Sequence, residues 1–502
     1  MRDLFREGLT LGESLARLPW EAARRVAGGR SETLHLAADL GERLGTLPFR
    51  AAGRMFRPDG KGQGQGAGPA PGPAPAPRSR RPVPDGRERS RVVVLGAGYG
   101  GLTCFLELQD HLSRDYDLVL VNGDRYHWFT TELHTLVAGE HEDAVRVPLS
   151  RIITSPGRLV VDRVSKVDPQ AREVHLASGQ RLGYDLLVFG LGSDPEYFGL
   201  PGVAEYSLIV GNWQGATNLR ERVAGLIEGP GDAVRHVVVA GGGLTGVELA
   251  GELADEYRGR IRLTIVEAGP DIMAGFAPGL VRISREVLQE KGVEIRTGNP
   301  ITRVDQGKVT FKDGETLTFD VLVWAGGVRG SAILAQSGFE TTPRGRGLVD
   351  PYLRAVGHPE VYLVGDSAAF TDPSTGREVP PSGQAAVQMG RQAGRNILHR
   401  LRGRAEEPFV PHIKGAFASL GRREGVGQLG TEEYSGVPAM MIKHLVESHH
   451  AWETGAGVMP LINRLLRGPQ RFMRGRSRQP AAPRPGQVAP TAARPEARQR
   501  QH

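Results

Sequence analysis

Residues 91–108 read RVVVLGAGYGGLTCFLEL, and residues 236–253 read HVVVAGGGLTGVELAGEL. Each is a run rich in β-branched residues that turns through spaced glycines into a helix-forming stretch. The first supplies Gly96, Gly98 and Gly101, with Ala97, Tyr99 and Gly100 between them, and the second supplies Gly241, Gly243 and Gly246. A strand that passes through such a turn into a helix is the setting a dinucleotide-binding loop requires. The first glycine makes the turn, and the second lets the backbone approach a pyrophosphate. The third lets helix pack on strand, so that free N–H groups at the helix start face the phosphates. One such loop is a weak signal, because tight strand-to-helix turns need glycine for many reasons. Two of them, about 145 residues apart, predict two dinucleotides on one polypeptide and a redox enzyme.

Composition sets the limits of that reading. The 502 residues leave room for several domains with sizeable cores. Hydrophobic content is only 39%, with 69 glycines and 35 prolines. Much of the glycine and proline excess falls in residues 59–90 and 475–502, which lack the apolar side chains to offset the entropy of ordering and are expected to be disordered. The net charge of +7 hides an asymmetry: residues 1–90 carry +6, residues 468–502 carry +7, and residues 91–467 carry −6. The basicity belongs to the tails, and no nucleic-acid motif accompanies it. A single cysteine, Cys104, excludes an internal disulfide and any Cys-x-x-Cys redox couple. It falls on the helix after the first glycine loop, where a buried small residue is expected. No apolar run reaches the length of a membrane span, and the N-terminus has no signal-peptide core, so a cytoplasmic protein is expected.

Working outward from the loops, residues 1–57 look like an amphipathic extension, with Leu4, Leu11, Leu15 and Leu18 near helical spacing, suited to a partner or a membrane surface. Residues 58–90 form a Gly/Pro linker. From Arg91 the pattern is strand, loop and helix, with a second strand at residues 117–122. An alternating stretch at 158–180 follows, suggesting a small β-meander, and then an apolar strand at 184–193. The scheme repeats around the second loop, with a helix at 279–291 and a hairpin near residues 308–317. The fold class is α/β, with two Rossmann-like dinucleotide-binding domains. The expected boundaries are 91–205 and 331–405 for one domain and 206–330 for the second, inserted into it. A C-terminal section at 406–474 and a basic tail at 475–502 complete the chain. The nesting follows from strand order together with the resemblance given below.

The strand-end residues assign the two loops. Glu267 ends RIRLTIVE, 26 residues after Gly241, where a carboxylate accepts hydrogen bonds from a ribose 2′-OH and repels a 2′-phosphate, favouring NADH over NADPH. The matching strand of the first loop ends in Asn122, followed by Gly123 and Asp124. Asn122 can still bond a ribose hydroxyl, or Asp124 can take that place. Residues 361–370 read VYLVGDSAAF, a strand ending in Gly365 and Asp366. Alone this would be a turn. Downstream of two dinucleotide loops it matches the flavoprotein aspartate that bonds the ribityl chain of FAD.

Five stretches together carry a family resemblance: GAGYGGL, NGDRYHWFTTELHTLVAGE at 122–140, WAGGVRG at 324–330, PPSGQAAVQMG at 380–390 and KGAFASLGRREGVG at 414–427. Over residues 91–467 the chain resembles the type II NADH dehydrogenases, the single-subunit NADH:quinone oxidoreductases of bacterial membranes. The resemblance implies that Gln384 and Gln388 lie at the flavin–quinone face, that Lys414 sits near the quinone, and that Glu196 takes part in proton or hydride handling. It also implies Val164 and Gly383 as further cofactor contacts and Gly327 in the same role. The family more often has alanine where this chain has Gly383. From the residues alone, Gln384 and Gln388 are one helical turn apart and share a face, which suits quinone carbonyls or a plain polar surface. Glu196 suits a proton relay or a solvated loop, and Lys414 a surface cation.

Membrane attachment is expected from GVPAMMIKHLVESHH at 436–450 and GVMPLINRLLRGPQRFMRGR at 457–476, each apolar on one side and basic on the other. Met440, Met441, Trp452, Leu465 and Leu466, with seven arginines from 464 to 484, support that reading, and His444, His449 and His450 are read as interfacial, with no metal site. The expected partners are NADH, a membrane quinone, the membrane surface and a second copy in a homodimer, without nucleic acid. The expected place is peripheral, on the cytoplasmic face of the cell membrane, with FAD as cofactor and no proton pumping. Sulfide:quinone oxidoreductases and disulfide reductases need redox cysteines that this chain lacks. A ferredoxin-type reductase and a flavin-bearing interaction protein are the alternatives.

Overall fold

A computed structural model of the chain describes residues 89–228 and 234–453, without the side chains of 448, 449, 452 and 453. The N-terminal extension, nearly all of the linker, the second amphipathic stretch and the basic tail lie outside the described residues.

Valine-rich strands buried on both faces set the architecture. The chain opens with β1 (Ser90–Leu95), α1 (Tyr99–His111), β2 (Tyr116–Asn122), β3 (Gly157–Val161) and β4 (Leu186–Phe189). Val92 to Leu95 are almost wholly buried, as expected of a parallel sheet covered on both sides. Strand β1 pairs in parallel with β2 on one side and β4 on the other, Val92 lying opposite Leu118 and Leu186. The connection therefore runs outward through β2 and β3 and returns to the far side of β1. The second sheet repeats this with β5 (Arg235–Ala240), α2 (Leu244–Glu256), β6 (Ile261–Glu267), β7 (Val293–Thr297) and β8 (Val321–Trp324), in the all-parallel order β7-β6-β5-β8. In both sheets the strand order reverses beside the first strand, leaving a crevice at the carboxyl ends of the strands.

The chain then returns to the first sheet. Strand β9 (His358–Leu363) adds in parallel to β4, and Arg354–Ala355 closes the edge antiparallel, giving six strands. Small antiparallel sheets at 164–183 and 301–318 form the meander and the hairpin read from the sequence, with Val164 starting the former.

Helix α3 (Gly383–Leu401) lies against α1 through glycines: a Cβ on Gly390 would sit 2.1 Å from the Gly100 carbonyl oxygen. Strands β10 (Gly415–Ser419), β11 (Gly425–Leu429) and β12 (Glu432–Ser435) form an antiparallel sheet followed by α4 (Gly436–Glu453). This section seats on α2, where a Cβ on Gly251 would meet the Leu420 carbonyl carbon at 2.4 Å.

Helix α4 departs from the sequence reading. Met440, Ile442, Ala451 and the one lysine of the described helix, Lys443, are buried, whereas Val437, Met441, Leu445 and Val446 are exposed. Its cationic residue faces the core and its apolar stripe faces outward. His450 is also not interfacial: its ring packs 4.5 Å from that of Tyr99 and 5.5 Å from that of His127. No helix among the described residues is long and apolar enough to cross a membrane.

The close approach of α1 and α3 is directly testable. Gly390→Ala forces a methyl group into backbone that cannot yield and should cost about 1–3 kcal/mol. Gly225→Ala, on the helix Trp213–Glu228 where a Cβ meets no atom within 4 Å, should be neutral or stabilising by about 0.5–1 kcal/mol. Thermal unfolding of the two variants beside the parent checks the contrast.

Candidate functional site

The two glycine turns have the same geometry. Gly96 and Gly241 have φ of +89° and +121°, a region that L side chains avoid. A Cβ on Gly96 would meet the Gly190 carbonyl oxygen beyond β4 at 2.4 Å, and one on Gly241 would meet the Ala325 oxygen beyond β8 at 2.2 Å. A Cβ on Gly101 would lie 2.1 Å from the Gly96 oxygen, and one on Gly246 would lie 1.9 Å from the Gly241 oxygen. Gly98 and Gly243 differ from these four, since a Cβ on either would meet nothing within 4 Å. Both are extended residues preceding a helix, and neither α1 nor α2 has a side-chain cap or an acidic residue in its first turn. Open space over an uncapped helix start, with its N–H groups unspent, fits a pyrophosphate in both places.

Behind each turn a strand-end side chain holds the loop. Glu267 accepts N–H bonds from Gly242 and Gly269, each at 2.7 Å, one on each carboxylate oxygen. Asn122 does the same in the first loop, its Oδ1 accepting from the Ala97 N–H at 2.9 Å while its amide donates to the Asp124 and Tyr126 carbonyls. A carboxylate has lone pairs left for ribose hydroxyls after two bonds, so Glu267 fits both duties. Asp124 accepts one bond on each oxygen, from the Tyr126 N–H and the Trp128 indole, and as a carboxylate keeps lone pairs beyond these. Gly123 sits exposed beside it.

At the carboxyl end of β9, Gly365 (φ +64°) turns the chain into Asp366. Asp366 is largely buried and accepts the Ser193 hydroxyl at 2.9 Å. Burial raises its carboxyl above the usual range, against the opposing pull of Ser193 and Arg346. Arg346, buried, donates to the backbone oxygens of Asp366, Ala368 and Val379 and pairs with Glu378. It braces the turn that presents Asp366.

The residues implied for the acceptor face fall into two groups. Gln388 spends both ends of its amide on His412, donating to its carbonyl at 3.0 Å and accepting its N–H at 2.9 Å. Gln384 accepts the Lys414 N–H at 2.7 Å. The two glutamines thus fasten residues 412–414 along α3, with the Lys414 side chain exposed and Gly383 beside Thr131 and Tyr99. Glu196 shares no hydrogen bond or ion pair with this group among the described residues. It accepts the Phe198 N–H at 2.8 Å, and its backbone bonds the Gly327 carbonyl and the Trp324 indole.

Sequence reading missed Arg346, Ser193 and His127. His127 is fully buried, its Nδ1 2.7 Å from the Ala97 carbonyl, and burial draws it down to about 4. Cys104 is wholly buried and burial pushes its thiol up, which rules it out as a thiolate nucleophile in the folded protein.

Residues 90–390 match the pyridine nucleotide-disulphide oxidoreductase family. The chain is similar to the type II NADH:quinone oxidoreductases of Staphylococcus haemolyticus and Staphylococcus aureus, each 30% identical over 391 residues, covering 74% of this chain and 97% of the relative. Among solved structures it is similar to NDH2 from Plasmodium falciparum in complex with NADH, at 18% identity and a TM-score of 0.65, covering 73% of this chain and 96% of that one. The sulfide:quinone oxidoreductase of Aquifex aeolicus shares the fold at 20% identity and a TM-score of 0.62, covering 73% and 91%.

His127 gives this site a pH signature. The stability gained by keeping it neutral is complete above its ordinary value of 6.5 and is lost as pH falls toward about 4, because only the unfolded chain takes up the proton in that window. The loss reaches about 3 kcal/mol. Denaturant unfolding between pH 7 and 4 should show His127→Gln losing less stability on acidification than the parent.

Proposed function

Because the chain belongs to the type II NADH:quinone oxidoreductases, within the pyridine nucleotide-disulphide oxidoreductase family, we propose that its first glycine turn takes FAD and its second takes NADH. The family is shown by relatives 30% identical over nearly their whole length and by the match over residues 90–390. The observation that carries the assignment is the pair of open, uncapped turns, one backed by Glu267 and the other served by Asp366. On this reading the domain around β5 to β8 is an NADH domain inserted in an FAD domain.

Each residue then has a physical task. Helix α1 offers its N–H groups to the FAD pyrophosphate, and Asp366, held by Ser193 and Arg346, accepts from a ribityl hydroxyl. Glu267, fixed by Gly242 and Gly269, accepts from the ribose of NADH and repels a 2′-phosphate. Bound FAD supplies the chemistry, accepting a hydride from NADH and returning two electrons to the quinone. Gln384 and Gln388 hold residues 412–414 so that Lys414 stands at the quinone face, and Glu196 handles a proton from the opposite group. The exposed stripe of Val437, Met441, Leu445 and Val446 lies on the cytoplasmic membrane surface, where quinone enters.

Anaerobic titration tests the reading. NADH should bleach the bound flavin, and a menaquinone or ubiquinone analogue should restore its colour. No bleaching would remove the NADH site, and bleaching without recovery would remove the quinone. Glu267→Ala should raise the KM for NADH roughly 10–100-fold, the loss expected for hydrogen bonds to a charged group, and bring the NADPH and NADH values together. Paired Met441→Glu and Leu445→Glu substitutions should weaken sedimentation with anionic liposomes while leaving flavin reduction by NADH unchanged.

A further inference from the structure

A group of ionisable side chains outside the acceptor set closes up in the interior. The Lys443 ammonium lies 3.1 Å from Glu132, 3.3 Å from Glu248 and 2.5 Å from Glu447. From α2, Glu252 also faces this region, raised by burial and flanked by Asp255 and Arg422. His134 lies 3.9 Å from Glu248, and Ser419 on β10 donates its N–H to Glu248 at 3.1 Å and places its hydroxyl 3.3 Å from His134. From α1, Tyr99 faces Glu132 and Glu447. From α4, His444 lies 3.6 Å from Glu447, and His450 packs on Tyr99 next to His127.

Three carboxylates around one ammonium would leave two net negative charges in a buried place. Such a surplus favours holding a further proton within the group, whose other bases are His134 beside Glu248 and His444 beside Glu447. The burial of Lys443 pulls its ammonium down, but the surrounding acids hold it well above its ordinary value, so it stays charged.

The cluster has an inner end and an outer end. The Glu132 side chain is 4% exposed and that of Glu447 is 16% exposed. Glu132 adjoins Thr131, an exposed residue whose hydroxyl lies 2.8 Å from that of Tyr99. The Thr131 methyl group is 3.6 Å from where a Cβ on Gly383 would stand, at the start of the helix that carries Gln384. The established reaction needs a proton at that face. NADH, one proton and a quinone give NAD⁺ and quinol, and the hydride carries both electrons but only one of the two hydrogens.

We propose that Glu132, Glu248, Glu447 and Lys443 form a proton reservoir that delivers the second proton through Thr131 and Tyr99. The bonds balance along one line: a proton leaves at Glu132, Lys443 passes one N–H proton to that carboxylate and takes one from Glu447, and solvent restores the proton at Glu447. The proposal rests on the quinone reading of the α3 face. The test compares Glu132→Gln holoenzyme with the parent. Flavin reduction by NADH should be unchanged, and quinone-driven reoxidation should fall about tenfold or more, increasingly as pH rises, with a larger solvent isotope effect. Glu132→Asp should recover most of that rate. Reduced-minus-oxidised infrared spectra of the parent should show loss of a protonated carboxyl band that Glu132→Gln lacks. Thr131→Val, which leaves the ion cluster whole, should reproduce the alkaline loss should Glu132→Gln fold poorly. A lowered unfolding midpoint with an unchanged pH profile, isotope effect and carboxyl band would overturn the reservoir and leave a purely structural cluster. Failure of the parent's flavin to bleach with NADH would instead remove the underlying reading.

Discussion

The contact on which the rest depends is the one between the third glycine of each turn and the carbonyl of the first. A side chain at Gly101 or Gly246 would stand about 2 Å from that oxygen, so only glycine lets the helix start where it does. Its position places the helix N–H groups over the crevice where strand order reverses, and the same crevice receives the loops after β4 and β8. The phosphate-binding turn and the packing of helix on sheet are therefore one constraint. Relaxing it would lose the site and the fold together.

The second level of order is a set of side chains that pin loops. Asn122 and Glu267 occupy the same place in two sheets and make the same bond to the residue after the first glycine. Replacing carboxylate by amide keeps the latch and changes the charge that the loop presents. Arg346 and the Gln384–Gln388 pair act likewise, each fastening a neighbouring stretch of backbone. Asp366 illustrates why such bracing matters: burial favours its neutral form, and Ser193 and Arg346 oppose that tendency.

What was legible in the sequence was local. The glycine turns, the strand-end Glu267 and the Gly365–Asp366 step each sit within a few residues of the element that gives them meaning. The residues that stayed hidden are joined across long stretches of chain. Lys443 reaches Glu132 over 311 residues, and Ser193 reaches Asp366 over 173. Helical periodicity shows which residues share a face of α4, but not which face the core takes, so Lys443 reads as a basic surface and Met440 as an outward residue, whereas both are buried. Asp124 has a local task that the sequence did not show, holding the Tyr126 N–H and the Trp128 indole.

The burial of Cys104 has a practical side. The chain contains one sulfhydryl, and the folded protein hides it completely on the buried side of α1. A thiol-reactive fluorophore therefore finds no native target until the first sheet opens, which makes labelling a clock for unfolding. A cysteine introduced on the exposed stripe of α4 would be the sole accessible handle, with no native residue to remove first. A spectroscopic reporter could then follow that surface in the otherwise unaltered enzyme.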